Sequence, residues 1–372
     1  MMKDLHGILF AYNPGPDLRE LTAMRPISSL PFGGRYRIID FMLSNLVNAG
    51  VTDVGVIMHE HYQSLLDHLG SGKDWDLSRK HGGLRILPPF AYAHNNHSDV
   101  FRGKMEALDG VRSYLQGIRQ DHVLLADGDI ALNIDLRAVF QAHRSSGADI
   151  TAICASRPTG DPHQCTYFTT DASGVVVDVT ESPYTPTGYE SLDMYILSKE
   201  LLLSLVEYCA THKLYSFSHN VLIAMKDSLK IRPYLFDGYA GRLQTVNNYF
   251  SRNMDLLRPE VRRELFVSER PIRTKDQSNP STYYAPGSQS VNSLVADGCI
   301  IEGHVENSIL FRGVRVAPGT VVKNCILMQA TQVGEGAELQ YVITDKNVQI
   351  NAHRTLMGHS SYPLAIAKNS IV

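Results

Sequence analysis

The chain has 372 residues, 44% of them hydrophobic and 20% charged, and a formal net charge of -3, enough to bury two cores but too nearly neutral to draw in nucleic acid or an anionic membrane. Five scattered cysteines (Cys154, Cys165, Cys209, Cys299 and Cys325) without a C-x-x-C pair speak against a zinc site or a disulfide framework. No apolar run nears the roughly 20 residues of a membrane span, and "MMKDLHGILF" lacks the basic-then-apolar pattern of a secretion signal, so a cytoplasmic protein is expected.

In chain order, residues 5 to about 255 alternate short apolar runs such as "GVTDVGVIM" and "DHVLLADGDI" with helical stretches such as "HYQSLLDHL" and "MEALDGVRSYLQGI". Strands joined by crossover helices predict an α/β domain with a mostly parallel sheet, placed at residues 1–262. The stretch "RTKDQSNPSTYYAPGSQS" has turn residues and no period, so 263–290 is expected to be a linker. Over 291–372 aliphatic residues return every six positions, as in Val316, Val322 and Met328 or Val333 and Leu339. That step suits a parallel β-helix whose coils stack flat faces, in preference to a row of hairpins.

Ligands of open α/β sheets bind beyond the carboxyl ends of the strands. The loop after the first strand, "AYNPGPD", has the place of a phosphate-gripping loop without its chemistry. Pro14 and Pro16 remove two amide donors, Asp17 brings a carboxylate, and only Gly15 allows close backbone approach. The following "RPISSLPFGGRYRIIDFMLSNLVNAGVTDVGVI" resembles the start of the sugar-phosphate nucleotidyltransferases, and specifically the glucose-1-phosphate adenylyltransferases (ADP-glucose pyrophosphorylases). The resemblance implies a Rossmann-like nucleotidyltransferase domain followed by a left-handed parallel β-helix of hexapeptide repeats. It places the remnant of the nucleotide site on Ala11, Gly15, Leu18 and Arg25, with the family's catalytic arginine falling on Asp17 and a basic residue of the next motif on Ile27.

Three later stretches extend it. "VLLADGDIALNIDL" sets Asp129 on the family's magnesium-holding aspartate, the right chemistry for a hard cation at a strand end. "VTESPYTPTGYESLDMYIL" keeps Glu181 and Ser191 of the sugar-phosphate site but has Ser182 for its lysine and Asp193 for its glycine. In "YLFDGYAGRLQTVNNYFSRNMDLL" the family's second metal carboxylate becomes Arg242. A guanidinium about 4 Å from a doubly charged ion is repelled by roughly 8 kcal/mol at an effective dielectric of ~20. Arg242 is therefore expected to grip a phosphate without metal or to pair with Asp129, and magnesium is expected only if nucleotide binding survives.

The family reaction depends on neutralising phosphate charge, and losing one electrostatic stabiliser typically costs on the order of 10²–10³ in rate. Departures at Asp17, Ile27, Ser182 and Arg242 together imply little or no activity. The sequence is most similar to the family's D-type regulatory subunit. That similarity implies a catalytic ADP-glucose pyrophosphorylase subunit as partner in a hetero-oligomer, expected to be a tetramer, and a sugar-phosphate or nucleotide effector. An active enzyme stays open if Arg19, Arg25, Arg35 or Lys104 supplies the missing charge. So does an acyltransferase, which would need a β-helix histidine, His304 or His353, as base.

Overall fold

A computed structural model describes residues 4–12, 18–88, 101–157, 159, 165–182 and 188–372. The expected site positions Gly15 and Asp17 lie outside these described residues. In chain order the strands of the α/β part are β1 (Leu5–Phe10), β2 (Asp53–Ile57), β3 (Gly83–Leu87), β4 (His122–Asp127), β5 (Ile130–Leu132), β6 (Ile150–Ala155), β7 (Cys165–Thr170), β8 (Val176–Ser182), β9 (Tyr189–Ser198), β10 (Ile231–Phe236) and β11 (Ala240–Arg242). The main sheet runs β8-β7-β9-β4-β1-β2-β3, with β6 joining β9 to β10. It is parallel across β3-β2-β1-β4, where β1 is buried on both faces, as its unbroken apolar run demands. β9 runs antiparallel to β4, β6 and β7. The edge strand β10 carries Pro233, which cannot donate to a further strand.

Two local features of this sheet set up the site. β5 and β11 leave it as an antiparallel ribbon in which Arg242 faces Ile130, one residue after Asp129. In β9 the register with β6 jumps between Ser191 and Met194, and Asp193 takes φ +52°. This β-bulge turns the Asp193 side chain out of the strand's alternation.

The motif "FGGRYRIIDFMLSN" proves to be a packing element. Gly33 and Gly34, at φ +60° and +83°, turn the chain between Pro31–Phe32 and Tyr36–Arg37. A Cβ on Gly33 would come within 2.7 Å of Leu256, so the turn requires glycine for space as well as for backbone angle. The helix Ile38–Ala49 follows, with the Arg37 amide donating to Asp40 (2.9 Å) at its start. Asn45 donates to the Leu132 carbonyl (3.0 Å) and accepts from the Ile134 amide (3.2 Å), tying this helix to β5.

The last α/β helix runs Pro259–Leu265, and the first β-helix rung, Tyr283–Tyr284, already pairs with Ile300–Ile301. The stretch between them is thus shorter at both ends than 263–290. The helix continues to the buried Leu265, and the Tyr-Tyr pair in the turn-rich segment is recruited by coil stacking, which a local period cannot reveal. Residues 283–366 form three parallel five-stranded sheets, a left-handed β-helix. Ile301, Val316, Val333 and Ile350 stack on one face and Val305, Val322, Leu339 and Leu356 on the next. Corners are turned by Asn292, Asn307, Asn324 and Tyr341, all at positive φ. Asparagine tolerates that region best after glycine.

The two parts share one core. Leu18, Leu21, Ile27 and Phe41 pack with Ile309, Phe311, Ile326 and Ile343 of the β-helix. Arg25 forms a buried ion pair with Asp345 of the β-helix, and Arg19 donates to the Tyr362 hydroxyl (2.6 Å).

Candidate nucleotide and metal site

The carboxyl ends of β1 and β4 and the β5–β11 ribbon meet at a cluster of charges. Lys104, at the start of the helix Lys104–Gly110, lies 2.9 Å from Asp127 and 4.0 Å from Asp193. Asp193 in turn holds Arg242, whose other arm donates to the Ser191 carbonyl (2.8 Å). The charges therefore alternate along the chain Asp127, Lys104, Asp193, Arg242, with Asp129 close enough to strengthen the hold on Arg242. Arg242 is 3% exposed and Asp129 is buried. Burial pushes the Asp127 carboxyl up to about 7, against the pull of Lys104. Burial would raise Asp193 as well, but Lys104 and Arg242 together hold it down at about 2.

This donor set does not fit magnesium. Two cations are inserted among its three carboxylates, and among the described residues no group of three His, Cys, Asp or Glu is placed to hold a metal ion. The ion pair expected between Arg242 and Asp129 is corrected: the ion pair of Arg242 is with Asp193, and Asp129 adds attraction to it.

Above the cluster, Tyr12, His59 and Phe101 close on one another with ring centroids 5.4–5.7 Å apart. The Tyr12 hydroxyl is buried without a hydrogen-bond partner among the described residues. Bulk and charge thus fill a place that a phosphate chain would need open.

The remaining expected positions are dispersed. Ala11 is buried, its carbonyl accepting from Ser28 (2.8 Å). Leu18 and Ile27 belong to the interdomain core, and Arg25 faces Asp345 instead of the sheet ends. Glu181 accepts from Ser218 (2.9 Å) and pairs with His219. Ser182 ends β8, opposite Cys165 of β7. The Ser191 hydroxyl bonds Tyr195 (2.9 Å) and accepts from the Asp193 amide (3.0 Å), so it braces the bulge. Of the four basic residues considered as replacements, only Lys104 reaches the cluster. Asp127 escaped the sequence reading, although the doubled carboxylate of "ADGD" was its signal. His304 lies in an outward rung between Gln289 (3.1 Å) and Glu306 (3.4 Å), and His353 occupies a left-handed exposed corner.

A second polar region lies between the domains. Arg35, Arg37, His68, Lys275, Arg312 and Lys346 line a small, open cleft. Arg312 is 7% exposed, with no ion pair and with its Nε lacking a hydrogen-bond partner among the described residues. Burial and the Arg35 charge weigh on its charge, Asp297, Asp276 and Asp40 offset them only in part, and the unbonded Nε is a donor that an incoming anion can use.

The buried groups set a pH dependence. Burial lowers His6 and His143 to about 4. Between pH 6.5 and 4 the unfolded chain takes up two protons there that the folded chain refuses. Asp127 acts oppositely, because the folded chain accepts its proton near pH 7. Burial lowers His122 as well, so on balance the unfolded state binds more protons and stability should fall as pH drops through this range. Urea midpoints at pH 6.5, 5.5 and 4.5 test this; a flat profile would mean that the histidines are solvated.

A parallel sheet with ligand-site residues at its carboxyl ends, followed by a hexapeptide β-helix, is the architecture of a sugar-phosphate nucleotidyltransferase. The nucleotidyl transferase family model matches residues 7–234, and a GlmU-like C-terminal hexapeptide model matches 283–361. The chain is 36% identical to the "Glycogen biosynthesis protein GlgD" of Bacillus subtilis, over 95% of its own length and 93% of that protein's. It is 32% identical to a glucose-1-phosphate adenylyltransferase of Thermotoga neapolitana (87% and 77% covered) and to one of Geobacillus stearothermophilus (87% and 84%). The chain belongs to the glucose-1-phosphate adenylyltransferase family of nucleotidyl transferases. Among the described residues no helix is long and apolar enough to cross a membrane.

Proposed function

We propose that this chain is a regulatory, non-catalytic subunit that joins a catalytic glucose-1-phosphate adenylyltransferase in a hetero-oligomer and modulates its synthesis of ADP-glucose for glycogen. The observation that carries this reading is the Arg242–Asp193 pair, which spends the site's charges on one another instead of on phosphates and metal. Likeness to a protein named for glycogen biosynthesis along nearly its whole length supports it further. The cleft between the domains is the place for a phosphate-bearing effector, because its cations face outward from a joint between two rigid parts. A ligand there can favour one arrangement of the joint, and a coupling of 1–3 kcal/mol is enough to change a partner's response 5- to 150-fold.

The test is ADP-glucose formation from ATP and glucose-1-phosphate with magnesium, by this chain alone, by a catalytic relative alone and by the mixture. The expected result is at most about a hundredth of the relative's rate from this chain alone, given the usual cost of a missing electrostatic group, and a raised rate or altered effector response in the mixture. Comparable turnover by this chain alone overturns the reading and favours an active enzyme in which Lys104 does the neutralising.

A further inference from the structure

The effector cleft contains a group that anion binding does not use. Lys346 follows Asp345 at a β-helix corner, and Asp345 is doubly committed, with Oδ2 on Arg25 and Oδ1 accepting from the Lys346 amide (2.6 Å). The carboxylate nearest to the Lys346 amine is thereby occupied elsewhere. Among the described residues the amine has no hydrogen bond and no ion pair, whereas Lys275 donates to the Asp67 carbonyl (2.5 Å) and Lys104 is held by Asp127. The charges that face it are Arg37, Arg25 and Lys368 against Asp345 alone.

Resting on the reading of the cleft as an anion site, we propose that Lys346 is a site of covalent acylation by small acyl phosphates, and that this modification sets the cleft's affinity for its effector. The cleft's guanidiniums hold the phosphate of the donor, as planar forks suited to it. The Lys346 nitrogen attacks the acyl carbon and forms the C–N bond of an amide. The C–O bond to phosphate breaks with its electron pair going to the departing phosphate, and the nitrogen's surplus proton passes to that phosphate or to water. No oxidant or further reactant is needed. The amide cannot be protonated, so the cleft loses the positive charge that the amine would take up when an anion enters beside it.

Reactivity follows from the surroundings. Burial, and then Arg37 and Arg25, bring the amine down to about 7, with Asp345 opposing and Lys368 assisting. Around pH 7.5 such an amine is mostly neutral, while an ordinary lysine near 10.4 is neutral to only about 0.1%. The weaker base is the weaker nucleophile, and that loss takes back much of the several-hundredfold gain. A net advantage on the order of tenfold remains, as for lysines activated beside other cations.

The experiment treats the full-length chain with acetyl phosphate and follows each lysine by peptide mass spectrometry, with inorganic phosphate binding measured in parallel by calorimetry. Lys346 is expected to react about tenfold faster than Lys368 or Lys323, with a rate that levels off above pH 7 to 8 while theirs keeps rising. Inorganic phosphate should slow it, and Arg312→Gln should slow it severalfold with the circular dichroism spectrum retained. Phosphate binding without preferential labelling of Lys346 overturns the acylation and leaves the anion site standing. Absence of both overturns the two together. Rapid labelling that neither phosphate nor Arg312→Gln slows overturns the role of the cleft in holding the donor.

Discussion

Arg242→Met should cost about 3–5 kcal/mol in urea denaturation at pH 7, among the largest effects of any single change in the α/β part. The reason is the carboxylate left behind. Asp193 keeps the Tyr195 hydroxyl and, of its two cations, the more distant Lys104, and the Ser191 carbonyl loses its donor, so a charge held at about 2 by two cations faces a desolvated site with one. Asp193→Gly should cost less, because glycine removes the strain of φ +52° at the bulge while Arg242 keeps the Ser191 carbonyl and the attraction of Asp129. The combined Asp193→Gly/Arg242→Asp variant places a carboxylate on β11 opposite the one that precedes β5 and removes one cation from between them. Its midpoint should rise with millimolar magnesium by RT ln(1 + [Mg]/Kd), whereas that of the unaltered chain should not move. Magnesium stabilising the unaltered chain as strongly as the variant would show that the cluster is not self-neutralised.

Asp345→Ala is the second large effect, again about 3–5 kcal/mol. Arg25 is 3% exposed and its partner 1%, so the change strands a guanidinium in the interdomain core and removes the carboxylate that offsets the charges around Lys346. Phosphate offers a specific control. An anion entering the cleft supplies part of the missing charge, so the difference from the unaltered chain should shrink in phosphate and persist in chloride of equal ionic strength. Replacing both partners by apolar residues, Arg25→Met with Asp345→Leu, should be milder than either single change, since no charge is then left unpaired. A double variant as unstable as the sum of the singles would place the interaction elsewhere.

Both pairs explain what could be read in advance. The six-residue return of Val316 and Val322 specifies a stack of coils because such side chains must face one narrow core, and the pattern needs no distant partner; Met328, six further on, instead packs in the interdomain core and Leu327 takes the inward place. The unbroken apolar run of β1 announces a strand buried on both faces for the same reason. Arg242 was legible as incompatible with magnesium from charge alone. Its partner was not, because Asp193 lies 49 residues away and reaches it through a bulge in β9 and a ribbon that leaves the sheet. Arg25 looked like a phosphate ligand by its place after the loop, yet its counter-charge lies 320 residues on, across the domain joint.

Local period by itself determined that this chain makes a parallel α/β domain and a β-helix, and residue type and charge sign, set against the family it resembles, implied that its metal and phosphate positions are altered. They act over a few residues or through the chemistry of one side chain. Tertiary structure alone decided that the altered charges cancel one another within the site, and that several cations collect between the domains. Coulomb attraction and desolvation depend on separations of a few ångströms and on exclusion of water, and folding sets both.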